Sequence, residues 1–259
     1  MDPVSGKESR LRFRLLHQKG SKMAKHSRIT VGFIPIVLLA FSMAYGQGVI
    51  NLPKTGQTGC YDSAGTEIAC YGTGQDGEWQ AGVKWPNPRF TVSGDCVTDK
   101  LTGLMWAKNG NLPGKPLNWY EALDYVASIN SGAGLCGYKD WCLPNVNELE
   151  SLINAEVADS ANWLNSQGFV NVQSGSSFYY WSSTRQPASG YNPWIVNILD
   201  GFVENTASAQ WNLYFVWLVR SERGEARAQL WKTGQTSSYA PGDDGNLQRC
   251  HPRLRMDPP

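Results

Sequence analysis

Histidine is nearly absent from this chain of 259 residues, and none of the three falls in its central part. His17 and His26 precede an apolar run, and His251 lies close to the end. A folded body without imidazole cannot run a Ser-His-Asp or Cys-His nucleophile, nor hold a His-ligated zinc ion. Carboxylate chemistry and oxygen-ligated metals are what remain. The six cysteines contain no Cys-x-x-Cys spacing, which argues against a thiolate metal site. The longest apolar run covers only fifteen residues, Val31 to Tyr45, short of the roughly 20 that span a bilayer. Excess positive charge is missing as well. Once the first 46 residues, with eight Lys/Arg and two acids, are set aside, the rest carries 15 basic and 20 acidic residues. Such a balance disfavours nucleic acid, whose recognition depends on clustered Lys and Arg.

What is present begins with an export signal. Val31 to Tyr45 follows Lys25 and Arg28 and precedes the small-residue pattern Ala44-Tyr45-Gly46, as in a secretory signal peptide cleaved before Gln47. Met23 is the expected start, because the six residues from Met23 to Arg28 supply the short basic lead that such a signal needs. Residues 1–46 are therefore read as a mis-assigned start plus signal peptide. The mature chain is expected to be exported, with no membrane association after cleavage.

All six cysteines, at 60, 70, 96, 136, 142 and 250, follow the signal, and an even count in an oxidising compartment implies a disulfide framework. Six cysteines allow fifteen pairings. The simplest reading staples a local hairpin with Cys60 and Cys70 and leaves Cys96 with Cys136 as the natural long-range pair, worth about 3 to 4 kcal/mol in loop-closure entropy. Cys142 and Cys250 are expected to be unpaired. An internal repeat frames the body: Leu52-Pro53-Lys54-Thr55-Gly56-Gln57-Thr58 recurs as Leu230-Trp231-Lys232-Thr233-Gly234-Gln235-Thr236, each followed by a Tyr and then an Asp-Gly. After Gln248 the likeness stops, as a truncated second copy would. The organisation read from this is residues 47–95 as a lead-in, 96–221 as the main domain, and 222–259 as a linker and the start of a second repeat. The string Leu52 to Gly56 has the form of a sortase signal, but it sits just after the leader rather than before a terminal apolar stretch.

Within the main domain Asn118 caps a helix with Glu121 three residues on, and Trp119, Ala122, Leu123, Val126 and Ile129 recur on one face until Gly132 and Gly134. Asn145, after Pro144, caps a second helix with Glu148 at its third position, burying Leu149, Leu152 and Ile153. The rest reads as strand: Phe178 to Trp181, a hairpin of Trp194 to Leu199 and Phe202 to Glu204 around Asp200-Gly201, and a long closing strand from Leu213 to Arg220. Two helices among short strands make an α+β domain.

Four strings carry a resemblance: Thr98 to Trp106 (TDKLTGLMW), Gly137 to Asn145 (GYKDWCLPN) with Glu148-Leu149, Tyr180 to Thr184 (YWSST), and Val216 to Arg220 (VWLVR). In this order and spacing the chain, from about Asn51 to Ser221, resembles the Lcl C-terminal domain family, which is also found at the end of collagen-like adhesins. The resemblance implies a C-type lectin-like fold, two helices with a twisted antiparallel sheet, disulfide-stapled. It also implies an extracellular adhesive role with sulfated glycans as one ligand, and it supports pairing Cys96 with Cys136. The motif residues Asp99, Gly103, Trp106, Asp140, Trp141, Glu148, Trp181 and Arg220 are carried over as structural. Cys142 stands where the family has arginine, and Leu218 where it has proline. Loss of that arginine is expected to remove a buried ion pair with Asp99 or Glu148, at a cost of about 3 kcal/mol.

The expected function is an exported, non-catalytic module for adhesion or ligand binding, with an extracellular glycan or surface protein as partner and no cofactor. Trp106, Trp141, Trp181 and Trp217 read as core. Trp163, Tyr191, Trp194 and Trp211, in the Asn/Ser/Gly-rich stretch before the last strand, are the candidate ligand-binding residues, since aromatic faces pack on sugars. Calcium is not expected, because Glu-Pro-Asn and Gln-Pro-Asp strings are absent and Trp211-Asn212 has no Asp after it. A purely structural repeat module is the alternative. An enzyme would have to use carboxylates, Asp99, Asp140, Glu148 and Glu150, as a glycosidase pair does.

Overall fold

The computed structural model of the chain describes residues 52–186, 192–206 and 208–221. The run read as an export signal, Tyr191, the recurrence at 230–236, Cys250 and His251 lie outside these residues. Among the described residues no helix is long and apolar enough to cross a membrane.

The lead-in forms a two-stranded hairpin, β1 (Cys60–Tyr61) and β2 (Glu67–Ile68), closed by the Cys60–Cys70 disulfide, and then a single helical turn, α1 (Asp76–Trp79). It is tied to the main body rather than hung from it. The Ala155 amide donates to the Thr55 carbonyl at 3.0 Å, and Glu156 accepts the Gly59 amide at 3.1 Å. Gly56 lies at φ +95°, and a Cβ there would come within 2.5 Å of Asn154 and 2.8 Å of Trp85. Only glycine allows so close an approach in that backbone region.

The main sheet has four antiparallel strands in the order β3 (Phe90–Ser93), β4 (Cys96–Asp99), β5 (Leu104–Ala107), β9 (Val219–Ser221). Its first strand therefore begins inside the segment read as lead-in. The β4–β5 turn explains the Thr-Gly of the TGLMW string. Gly103 sits at φ +70° and its amide donates to the Asp99 carbonyl at 2.8 Å, a conformation in which a Cβ would be strained. A second sheet, β6 (Tyr179–Arg185), β7 (Pro193–Asn197) and β8 (Val203–Asn205), is also antiparallel. Gly201 at φ +81° and the Asp200 carboxylate, which accepts the Phe202 amide at 3.0 Å, make its β7–β8 turn.

Both expected helices form with the caps read for them. In α2 (Trp119–Ser131) and α3 (Val146–Glu150) the Asn118 and Asn145 side chains accept the amides of Glu121 and Glu148, whose carboxylates accept the cap amides in return. Two further helices appear, α1 and α4 (Ser160–Ser166), so the count of two was too low. α4 is short and polar; Asp159 caps it by accepting the Asn162 amide at 2.8 Å, and Ala161 and Leu164 are its buried side. The long closing strand is a second correction. Residues 214–221 are extended, but they do not stay in one ladder. They bridge Leu117 at Tyr214, Tyr180 at Phe215, and Cys142 at Val219, and only Val219–Ser221 pairs with β5. The segment threads between the sheets, and Phe215 to Arg220 are buried on all sides.

Trp106, Trp141, Trp181 and Trp217 have essentially no exposed surface. An aromatic side chain buries roughly 150–250 Å², so at about 25 cal/mol per Å² each contributes roughly 4–6 kcal/mol of gross burial before entropy is subtracted. Three of the four spend their indole N–H on a backbone carbonyl: Trp141 on Leu135 at 3.1 Å, Trp181 on Leu117 at 2.7 Å and Trp217 on Ala107 at 2.7 Å. These tryptophans locate the strands and are unavailable to a ligand. The Cys96–Cys136 disulfide ties β4 to the loop after α2.

Candidate functional site

Three of the four carboxylates offered to an enzyme, Asp99, Asp140 and Glu148, are engaged by structure, while Glu150 is exposed at the end of α3. Asp99 is fully buried in a bidentate pair with Arg89, whose Nε and Nη2 donate at 3.0 and 2.7 Å, while the Leu101 amide and Thr102 hydroxyl each donate to it at 2.9 Å. This overturns the expectation that the missing arginine at position 142 leaves Asp99 unpaired: its cation comes from Arg89, ten residues earlier in the chain. Cys142 is itself disulfide-bonded, which corrects the expectation of an unpaired thiol. Asp140 takes a bidentate pair from Arg220 at 2.8 and 3.1 Å, with the guanidinium 3.7 Å above the Tyr138 ring.

Glu148 is buried, and burial raises its carboxyl to about 7, against a smaller opposing effect of the hydrogen bond from the Asn145 amide. A carboxyl poised near neutrality is a common mark of a general acid, yet this one caps α3 beneath the surface. Its titration bears on stability. The folded chain holds a proton on Glu148 that the unfolded chain releases near 4.5, so stability is greatest below that value and declines as pH rises to about 7. The full loss is about 3 kcal/mol at 1.36 kcal/mol per pKa unit. Glu148→Gln keeps an acceptor for the Asn145 amide and has no proton to lose. Its thermal midpoint is expected to stay level between pH 5 and 8 where that of the parent falls, and parallel pH profiles for the two proteins would count against this assignment.

The three aromatic candidates among the described residues sit in three different settings. Trp163 lies on α4, not in a loop, and stacks against Trp85 at 5.5 Å and Phe90 at 5.8 Å, so it is part of the packing beneath the lead-in. Trp194 is half-buried in β7, opposite Asn205. Tyr191 lies outside the described residues. Trp211 is 78 % exposed, at a turn whose amides are held by Ser208.

A different group converges beside Trp211. Tyr179, the first residue of β6, and Tyr214 meet edge to face with centroids 5.7 Å apart, and Tyr214 packs on buried Trp181 at 4.8 Å. Glu204 of β8 pairs with Ile195, which pairs with Trp181 of β6, so the sheet register brings its carboxylate to the side of Tyr179, and its charge helps raise the phenol. Asn212 directs its amide to the Thr206 hydroxyl and, at 3.4 Å, to the Tyr214 hydroxyl. All four side chains are partly exposed. Partial burial, followed by the charges of Glu204 and Asp200, pushes the Tyr179 phenol above its ordinary value. Rings held from behind by the core, with a carboxylate and an amide beside them, form a rigid polar-aromatic surface that can stack on and hydrogen-bond a polyhydroxylated ligand. Sequence reading missed it because Tyr179, Glu204 and Asn212 come from three segments. The alternation of Phe178 to Trp181 separates Tyr179 from Tyr180 by face, but only strand register brings it to Glu204.

A second feature is a shallow cavity of about 310 Å³ beside the Cys96–Cys136 bridge, lined by Asp95, Lys108, Asn109, Leu112, Leu135 and Val170. It contains one carboxylate, not the pair a glycosidase needs. Among the described residues no three of His, Cys, Asp and Glu converge to hold a metal ion.

Compared with known proteins, residues 95–220 match the family model of the Lcl C-terminal domain. No curated protein matches the chain.

Proposed function

With an Lcl C-terminal domain at residues 95–220 as the premise, we propose that this protein is an exported, non-catalytic adhesion module that presents a glycan-binding face on a C-type lectin-like scaffold. The domain is a surface, adhesin-associated one. Export is read from the run Val31 to Tyr45 and from the three disulfide-bonded sites, since such bonds persist in oxidising compartments. The lectin-like reading draws on the α+β architecture, in which antiparallel sheets are closed by the last strand of the domain beside β5.

The observation that carries the binding role is the surface of Tyr179, Glu204, Asn212 and Tyr214. Tyr214 is braced by Trp181 and meets Tyr179 edge to face, and the Asn212 amide lies at the Tyr214 hydroxyl. The non-catalytic reading is supported by the commitments of Asp99 and Asp140 to arginines and of Glu148 to a helix cap. The chain folded with its disulfides, applied to a broad glycan array and followed by titration of the hits, is expected to bind with dissociation constants between micromolar and millimolar. Tyr214→Ala is expected to reduce that binding at least tenfold. Absence of any glycan signal from folded protein at millimolar concentration would favour a structural repeat module, the role to which the recurrence of Lys54 to Thr58 at Lys232 to Thr236 also points.

A further inference from the structure

We propose that the face formed by Tyr179, Glu204, Asn212 and Tyr214 takes an uncharged, hydroxyl-rich saccharide and rejects sulfated or carboxylated glycans. This rests on the glycan-binding reading above and specifies its ligand class.

The argument begins with charge in sequence. Between Asp140 and Val219 the chain has a single basic residue, Arg185, against seven acids: Asp140, Glu148, Glu150, Glu156, Asp159, Asp200 and Glu204. All three strands of the second sheet and the turn carrying Trp211 fall within this stretch. Arg185 is buried, with its guanidinium 5.0 Å from the centre of the Trp119 ring, and does not front the surface. Arg220, the next cation along, is held by Asp140 and covers Tyr138. Anionic glycans are recognised by Arg and Lys donors, often bidentate. The four residues of this face and the adjoining turn supply the reverse: a carboxylate of β8, a second at the β7–β8 turn, an amide and two phenols.

The same set suits neutral hydroxyls. A carboxylate offers about four acceptor positions, so the partly exposed Glu204 can accept O–H donors, and charge-assisted bonds are roughly twice as strong as neutral ones. The Asn212 amide supplies a donor and an acceptor beside it, and the phenols serve as either. A sulfate or carboxylate in this position would face Glu204 and Asp200, whose field already opposes a second negative charge at Tyr179.

The charge-neutral substitution Glu204→Gln separates the two ligand classes by sign. Glu204 is a partly exposed residue of the short strand β8, so the variant is expected to fold with the parental near-ultraviolet circular dichroism and thermal midpoint. The probe is a panel of neutral hexose oligosaccharides alongside the same compounds O-sulfated, measured against the full-length protein at low and high NaCl. Expected are binding to neutral members, little change with salt, and a five- to tenfold loss in Glu204→Gln, with the Tyr179 phenol ionising at lower pH in that variant. Binding confined to sulfated members, weakened by salt and strengthened by Glu204→Gln, would overturn this inference while leaving the glycan-binding role intact. Binding to neither panel would overturn both.

Discussion

Replacing Asp99 with asparagine is expected to lower the stability of the protein by about 3 to 5 kcal/mol, the range observed when one partner of a buried ion pair is removed. The reason is what stays behind. Arg89 is 4 % exposed, sandwiched between the rings of Trp85 and Phe90 at 4.5 and 4.8 Å, and loses its one counter-charge among the described residues. The Ser151 carbonyl, accepting from Nη2 at 2.6 Å, and the two rings retain part of the interaction but none of the charge balance. The introduced carboxamide would also present an N–H₂ group where the Leu101 amide, the Thr102 hydroxyl and the guanidinium all require an acceptor. For a domain of this size the loss corresponds to a fall of about 10 °C in the thermal midpoint, measurable by circular dichroism. A double substitution, Arg89→Met with Asp99→Leu, is expected to cost less than Asp99→Asn, because no charge is then stranded. A single-variant shift below about 2 °C, or a double variant worse than the single, would show that the pair does not hold the start of the main sheet.

Removing the Cys96–Cys136 bridge ranks next. The closed loop of 40 residues contains β5 and all of α2, so loop-closure entropy assigns about 4 kcal/mol to the cross-link. Cys136 occupies φ +53°, a region unfavourable for a residue with a Cβ, and the bridge is one of the restraints that keep it there. The Cys96→Ser, Cys136→Ser double variant is expected to unfold at a urea midpoint lower by a third or more. The corresponding Cys60, Cys70 double variant is expected to change the main transition much less, because that bridge closes ten residues of a peripheral hairpin. Serine substitution is preferred to reductant, which would also open the bond at Cys142. Equal midpoints for the two double variants would refute this ranking.

Much of this protein's local structure could be read from neighbouring residues. The pairs Asn118 with Glu121 and Asn145 with Glu148 announced two helix starts, and both form complete capping boxes. Asp200-Gly201 announced its turn, where the glycine takes a positive φ. What escaped reading depended on residues far apart. The short polar helix α4 is stabilised by its cap and by Trp163 against Trp85, far earlier in the chain, and nothing in its own seven residues outweighs a loop reading. Residues 214–221 have the composition of one strand and instead serve several partners in succession, because each backbone bond is made to whichever element lies alongside.

By itself the chain determined what chemistry is possible: a body without histidine, poor in cations between Asp140 and Val219 and provided with cysteines for cross-links. It determined the caps and turns too, since those are bonds between residues two to four apart. Only the tertiary structure decided which carboxylate meets which arginine, that Cys142 is bonded, that Trp163 is packing, and that Tyr179, Glu204, Asn212 and Tyr214 share one surface. Strand register and the crossing of extended segments set those meetings, and both arise from long-range burial, for which a single sequence carries no local signal.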